Sequence, residues 1–518
     1  MKFGEIVRVV AAGWLLVLAH PALAEWYEAS SDHFVIYADD SERDIQRFAE
    51  NLERYHSAMA FLTGRSLETP SPSNRVVIYA VGGANDIRKL AGGNNRRVAG
   101  FYIPRAGGSR AFVQDIRNKS GYPDFSTIVL LHEYAHHFLM SSSRFAMPRW
   151  LNEGAAEFFA AATFKDDGSL TIGRTAQHRG PELINGDPVP VRELLDPALY
   201  DQERNSPYDA FYGKSWLLYH YLTFSTERTG QLRQYQMNLV QGIEPLAAAE
   251  AAFGDLDVLE RELRAYMRRR LMTFVLGPEK LTTGAISLRK LPPGEAAMMP
   301  LQIRSQRGVN SEQAAEILED ARAIAARYPD DPGVLTALAE AEYDAGNDAE
   351  AIAAADAAIA RDPVRKNAYV QKGYAMFRQA REMDQQAAAY EAAMKPFEAL
   401  NRLENDHPLP LLYYYRSFAE RGVDPPENAR AALEYASQLA PFDQDLQVNA
   451  AIMLMGEGKN AIARDFLAPL ATNPHGGGFA KRAKLLMTML AEAPDGTVID
   501  LSNIPEPVET PDLSDATD

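Results

Sequence analysis

The hydrophobic pattern of residues 25–277 mixes strand and helix. Residues 33–38 (HFVIYA) and 75–81 (RVVIYAV) are β-branched and aromatic runs beside turn formers, which is typical of strands. Residues 100–104 (GFYIP) and 109–114 (SRAFVQ) indicate two more short strands. The economical prediction for this part of the chain is a small α+β domain.

A helix is predicted to begin at Ser41. Serine is a favoured residue at a helix start. Apolar residues then recur every three or four positions, which places them on one buried face: Ile45, Phe48, Leu52, Tyr55 and Met59.

Residues 278–310 carry turn formers and no helical period, so they are predicted to be a linker. Residues 311–490 are instead rich in alanine, with recurring glycine and proline. Between Pro332 and Pro363 small residues and leucines follow a two-helix pattern of about 34 residues. This resembles the tetratricopeptide repeat (TPR) family. The resemblance implies an all-α, TPR-like repeat domain that binds a protein partner; a generic helical bundle is the alternative.

The two ends of the chain differ from its middle. Residues 1–24 combine Lys2 and Arg8, a short apolar run and an Ala22-Leu23-Ala24 cleavage site, which is the pattern of a secretory signal peptide. We therefore expect an exported protein, cleaved after Ala24 and periplasmic if the host is Gram-negative, with no integral membrane segment in the mature chain. Residues 491–518 are acidic and proline-rich and are predicted to be a disordered tail.

Composition narrows the possible functions. The 53 Lys and Arg against 70 Asp and Glu give a net charge of −17, which opposes binding to nucleic acid or anionic lipid. Because the chain has no cysteine, a thiol nucleophile, an iron–sulfur cluster and a cysteine zinc site are excluded. A metal would have to be held by histidine and carboxylate.

An HExxH motif supplies such ligands at His132-Glu133-Tyr134-Ala135-His136, inside an apolar helical stretch. Residues four apart lie on one helix face about 6 Å from each other, so His132 and His136 can bind one ion. Glu133 lies about 100° round the helix and is placed to reach a water on that ion.

A second segment, residues 148–159 (PRWLNEGAAEFF), offers two more carboxylates. A catalytic zinc needs three protein ligands and an open position, and two histidines with one glutamate are an established set. Glu153 supplies the third ligand if the two helices pack together. Glu157, one turn later, is placed to accept the free ring N–H of a ligand histidine.

The HExxH motif followed by Trp-Leu-Asn-Glu-Gly-Ala-Ala-Glu resembles the gluzincin metallopeptidases, in particular the peptidase-MA-like family of exported bacterial proteins. The opening EWYEASSDHFVIYADD is also similar to that family, and the resemblance covers roughly residues 25–275. The branch with HExxHxxGxxH is excluded, since Leu139 and Ser142 stand where its Gly and His would be.

The resemblance implies a zincin-like fold and fixed roles for five positions. His132, His136 and Glu153 correspond to the Zn2+ ligands and Glu133 to the general base. Glu157 falls where gluzincins keep a carboxylate behind the first histidine.

The implied reaction is peptide hydrolysis by metal-activated water, with Glu133 moving the proton. We name Tyr212 as the candidate donor to the oxyanion, with Tyr208 and His220 behind it; ordinary helix packing is the alternative for all three.

The sequence also predicts where a peptide substrate could bind. By chain order, residues 109–114 are predicted to be the edge strand beside which a peptide substrate pairs; an ordinary packed strand is an equally good alternative.

His137 points away from the ligand face. The remaining isolated histidines receive no function: His33, His56, His178, His407 and His475.

Three functions remain open at this point. The first is an exported zinc metallopeptidase whose repeats position a protein substrate or partner. The second is a non-catalytic periplasmic TPR adaptor with an inactive zincin-like domain. The third is a zinc hydrolase acting on a non-peptide amide.

Overall fold

The computed structural model describes residues 25–65, 69–93, 98–117, 121–142, 145–203, 208–473, 475–491 and 493–499. The predicted signal peptide and residues 492 and 500–518 of the predicted tail lie outside these ranges. Within the described ranges, no helix is both long and apolar enough to cross a membrane.

Nine strands form two sheets in the described part of the chain. They are β1 Trp26–Ser30, β2 Phe34–Asp39, β3 Val76–Ala80, β4 Gly100–Ile103, β5 Arg110–Val113, β6 Thr163–Phe164, β7 Leu170–Ile172, β8 Phe274–Leu276 and β9 Ser287–Lys290. The main sheet has the order β4-β5-β3-β2-β1-β9, and the small one β6-β7-β8. In the main sheet β2, β3 and β5 run parallel and the other pairs are antiparallel.

Helices make up most of the remaining described chain. The first eleven are α1 Glu42–Thr63, α2 Ala84–Leu90, α3 Phe125–Ser141, α4 Arg149–Ala160, α5 Gly180–Asn185, α6 Val191–Leu195, α7 Pro197–Glu203, α8 Phe211–Phe224, α9 Gln231–Val240, α10 Pro245–Phe253 and α11 Leu256–Tyr266. The others are α12 Pro293–Arg307, α13 Ser311–Arg327, α14 Pro332–Asp344, α15 Asp348–Arg361, α16 Lys366–Arg381, α17 Gln386–Leu403, α18 Pro408–Ala419, α19 Glu427–Leu439, α20 Gln444–Gly456, α21 Asn460–Ala471 and α22 Gly477–Ala491.

The local predictions for the first part of the chain are confirmed. All four proposed strands are present as β2, β3, β4 and β5. Ser41 caps α1, because its side chain accepts from the backbone N–H of Asp44. The apolar face of α1 packs in the core on one face of the main sheet, together with α3, α4 and α8.

The edge-strand prediction is wrong. Strand β5, which covers most of residues 109–114, lies between β4 and β3, and β4 is the outer strand. Chain order misled the prediction because the chain passes from β3 to the outer strand β4 first and then turns back inward to β5. An edge for an added peptide strand is therefore offered by residues 100–103 instead.

The predicted linker also differs from the structure. It contains β9, which pairs with β1, and α12, which packs on the second face of the sheet. Met299 and Ile303 of α12 contact the sheet, whereas Met298 faces the following helices. Because α12 is buried on two sides and contains Pro300, it shows no single apolar stripe in the sequence.

The helices α13–α22, called the helical array below, pack against their neighbours in chain order, as the repeat pattern predicts. Small residues bring them close: the ring of Phe397 on α17 would lie 2.5 Å from a Cβ at Gly373 on α16. Residues 493–499 fall in the predicted disordered tail, yet they continue this packing. Asn460 donates to the carbonyls of Pro494 and Thr497 at 3.0 and 2.8 Å.

Candidate metal centre

Helices α3 and α4 pack against each other and carry the HExxH motif and the second carboxylate segment. The side chain of Asp124 caps α3 by accepting from the N–H of Thr127 at 3.0 Å. Gly154 lets α8 cross α4 closely, since a Cβ there would lie 2.5 Å from the Ser215 carbonyl oxygen. The helix that carries Glu153 is thus held from two sides.

Three sequence-predicted ligands converge as proposed. The Nε2 atoms of His132 and His136 lie 3.0 Å apart, and Oε2 of Glu153 lies 3.3 and 3.4 Å from them. All three residues are buried, Glu153 completely. This cluster has the donor atoms and spacing to hold a metal ion.

A fourth donor comes from the far end of the chain. His475, to which the sequence analysis gave no function, joins the same cluster, whose donor atoms all lie within 4.8 Å of one another. Its Nε2 lies 3.0 Å from Oε1 of Glu153.

The orphaned atoms of this cluster fit a cation. Neither carboxylate oxygen of Glu153 has a hydrogen-bond partner among the described residues, and Nε2 of His475 also has none. A fully buried carboxylate without donors is costly, and a metal ion removes that cost. The pKa of Glu153, which burial would raise, is held well below its usual range by His475 and His136.

Glu157 lies behind the first histidine. Its Oε1 is 3.3 Å from Nδ1 of His132, as the second-carboxylate prediction requires. Burial alone would lower the pKa of His132, but Glu157 and Glu153 raise it to about 10. Glu157 is also bound by His178 and Arg179, at 2.6 and 2.7 Å.

Asn152 plays the corresponding part for the second histidine. Its Oδ1 accepts from Nδ1 of His136 at 3.1 Å, which leaves Nε2 of that ring facing the cluster. Sequence reasoning missed Asn152, His178 and Arg179. Asn152 had one available signal, its position directly before Glu153 in the second segment.

Glu133 is half-buried on α3, next in sequence to His132. Its charge contributes to the raised pKa of His475, after the opposing effect of burial and the larger effect of Glu153. The charge of the base candidate therefore acts on the fourth donor.

Tyr212 lies between two arginines. Its hydroxyl accepts from Arg149 at 3.4 Å, and the guanidinium of Arg179 stacks on its ring at 4.4 Å. Burial, then Glu153, raise its pKa, so the phenol keeps its proton at neutral pH.

The other two aromatic candidates are placed differently. Tyr208 is exposed, and His220 is buried against Tyr266 and the carbonyls of Gly173 and Met272.

Similarity to known proteins is found among solved structures. No protein-family model matches the chain, and no curated protein matches it. Among solved structures it is similar to a thermophilic TPR protein of Thermus thermophilus, with a TM-score of 0.33, 18% identity, and coverage of 38% of this chain and 99% of that one. The repeat architecture rests on the helices themselves rather than on this likeness.

Proposed function

We propose that the chain is an exported zinc-dependent peptidase of the gluzincin type, with a zincin-like catalytic part and an array of TPR-like helices that positions a protein substrate or partner. One observation carries the proposal: two imidazoles and a carboxylate without hydrogen-bond donors converge in a buried site. Two histidines and a glutamate are a known ligand set of catalytic zinc.

His132, His136 and Glu153 would hold the ion. When bound there, zinc would supply an acidified water and polarise the carbonyl of the scissile bond. Glu133 accepts the proton of the attacking water at its carboxylate and returns it to the leaving amine. Asn152 and Glu157 orient the two imidazoles through their Nδ1 atoms.

Tyr212 is the proposed donor to the oxyanion. Besides burial, the charge of Glu153 helps to raise the pKa of Tyr212, so this phenol lies within electrostatic reach of the cluster, which supports the role. The substrate is proposed to add as a strand at β4, whose outer side is the sheet edge.

The test is metal content together with turnover. Purified mature protein is expected to hold one zinc by elemental analysis, and His132→Ala is expected to lose it. Glu133→Gln is expected to keep zinc but lose hydrolysis of a peptide library. A parent protein that takes up no zinc on titration refutes the proposal.

A non-catalytic adaptor is the second candidate. The observation that favours it is the fourth donor, His475, because sites with four protein ligands are usually structural. The adaptor predicts zinc uptake with no peptide hydrolysis by any variant, including those that remove His475.

A further inference from the structure

His475 belongs to the helical array, whereas the other three donors belong to the sheet domain, residues 25–290, which carries strands β1–β9 and helices α1–α11. It lies in the short turn between α21 and α22. Its side chain is 24% exposed, and its Nε2 lies 3.0 Å from Glu153. The ring also lies against His136, with ring centres 5.3 Å apart.

We propose that His475 is a fourth protein ligand of the metal at this site, so that the docked helical array holds the peptidase in a latent state. The latent state rests on the proposed function; the ligand assignment does not. In this latent state the helical array is the regulator of the proposed catalytic part.

The geometry of Glu153 supports the assignment. Its Oε2 faces His132 and His136, whereas its Oε1 faces His475. Despite the 3.0 Å separation, the contact with His475 lacks hydrogen-bond geometry, and both atoms are left without a partner. Two atoms that each direct a lone pair at one shared cation lie close together without forming a hydrogen bond. Binding of one cation by both atoms therefore accounts for this contact.

Four protein ligands change what the site can do. A catalytic zinc keeps one position for water, whereas a four-ligand site is closed. With His475 in place, the water that Glu133 would activate has no position of its own. Turnover then requires that His475 leave.

The turn that carries His475 is held in shape by its own hydrogen bond and lies close to helices α3 and α4. Oδ1 of Asn473 accepts from the N–H of His475 at 3.0 Å. The crevice beside it, between α3, the start of α4 and the end of α21, has a volume of only about 20 Å³. That is about the room for one water, so the two surfaces are nearly closed on each other.

Polar contacts fix the helical array at a second place. Asp443 accepts from the N–H of Ala106 at 2.7 Å, and Glu404 accepts from the N–H and hydroxyl of Ser73, each at 2.9 Å. These contacts flank the β4–β5 hairpin and the start of β3. Movement of the array away from this surface removes His475 from the cluster and, at the same time, opens the site to substrate.

The ligand assignment is tested by replacing His475 and measuring the metal directly. X-ray absorption of the zinc-loaded full chain is expected to report three imidazoles in the parent and two in His475→Ala. Competition with a chromophoric chelator is expected to give about 10–100-fold weaker zinc binding for the variant. The control is Thr472→Ala in the same turn, whose hydroxyl donates to the carbonyls of Ala468 and Pro469 on α21, and it should match the parent.

A ligand swap makes the test specific. Since the chain has no cysteine, His475→Cys introduces its only thiol. The cobalt-loaded variant is expected to show a thiolate-to-cobalt charge-transfer band that the parent lacks, and zinc binding should recover. An unchanged imidazole count in His475→Ala, or no such band in His475→Cys, overturns the assignment.

Hydrolysis of an unfolded protein substrate tests latency. His475→Ala, reloaded with saturating zinc, is expected to be at least about 10-fold faster than the parent, a barrier change of about 1.4 kcal/mol. Equal rates in two active proteins overturn latency alone. If no zinc-loaded variant hydrolyses any peptide, the proposed function fails, while the imidazole count still decides the ligand.

Discussion

The hydrogen bond from His136 to Asn152 gives a sharp test of whether the candidate metal centre binds zinc in the proposed way. An imidazole that binds metal through Nε2 must carry its proton on Nδ1, and that proton needs an acceptor when buried. Asn152 is 5% exposed and His136 is 6% exposed, so water does not replace the acceptor. The substitution Asn152→Leu removes it with little change in size.

The magnitude follows from the burial. A buried donor left without a partner costs about 1–3 kcal/mol, which corresponds to about 5–150-fold in a dissociation constant. Loss of such partners behind metal-binding histidines typically weakens binding by about 10–100-fold. We therefore expect Asn152→Leu to bind zinc about 10–100-fold more weakly than the parent.

The assay is a zinc competition titration near neutral pH, with the thermal stability of the metal-free proteins measured in parallel. Asn152→Asp keeps the acceptor and should bind zinc at least as tightly as the parent. Asn238→Leu is the matched control, because Asn238 is also 5% exposed but bonds to Ala248 in the α9–α10 region. Parent-like zinc affinity in Asn152→Leu would refute the reasoning.

Three further predictions concern carboxylates. Glu157→Ala should weaken zinc binding by about 10–100-fold, since His132 loses the acceptor of its Nδ1 proton; tight binding in this variant would remove Glu157 from the site. Glu133→Gln should bind zinc like the parent and lose hydrolysis, because an amide does not accept the proton; retained turnover would identify another base. Burial, then Asp344, raise the pKa of Glu340 from 4.5 to about 7, so the folded state loses stability as pH rises from the lower to the higher of these values, and the loss is complete above the higher one. Glu340→Gln should therefore be more stable than the parent by about 1–3 kcal/mol above about pH 7 and similar below about pH 4, by urea unfolding; a pH-independent difference would contradict this.

The parts of the fold that the sequence predicted are those with a local cause. The strands β2 to β5 and helix α1 follow from patterns within a few residues, as does the shared face of His132 and His136. Glu153 needed only the packing of two nearby helices.

The parts that the sequence missed depend on distant segments. His475 enters the cluster only because the helical array docks on the sheet domain, and nothing near it in the chain signals a ligand. Helix α12 was missed because its two buried sides belong to different partners. The position of β4 outside β5 was also missed, because a hydrophobic pattern predicts a strand but not its place in the sheet.

Strand β9 has a practical consequence for dissecting the chain. It covers the outer side of β1 and presents Arg289 and Lys290, whose charges discourage further strand pairing. A fragment that stops at residue 277 would leave the backbone of β1 without a partner strand on its outer side, and such an edge is a template for aggregation. A fragment that extends through Arg307 keeps β9 paired with β1. It still exposes one side of α12, the side on which Met298 packs against the helical array. Insolubility of the shorter fragment would therefore say nothing about whether the sheet domain folds without the helical array.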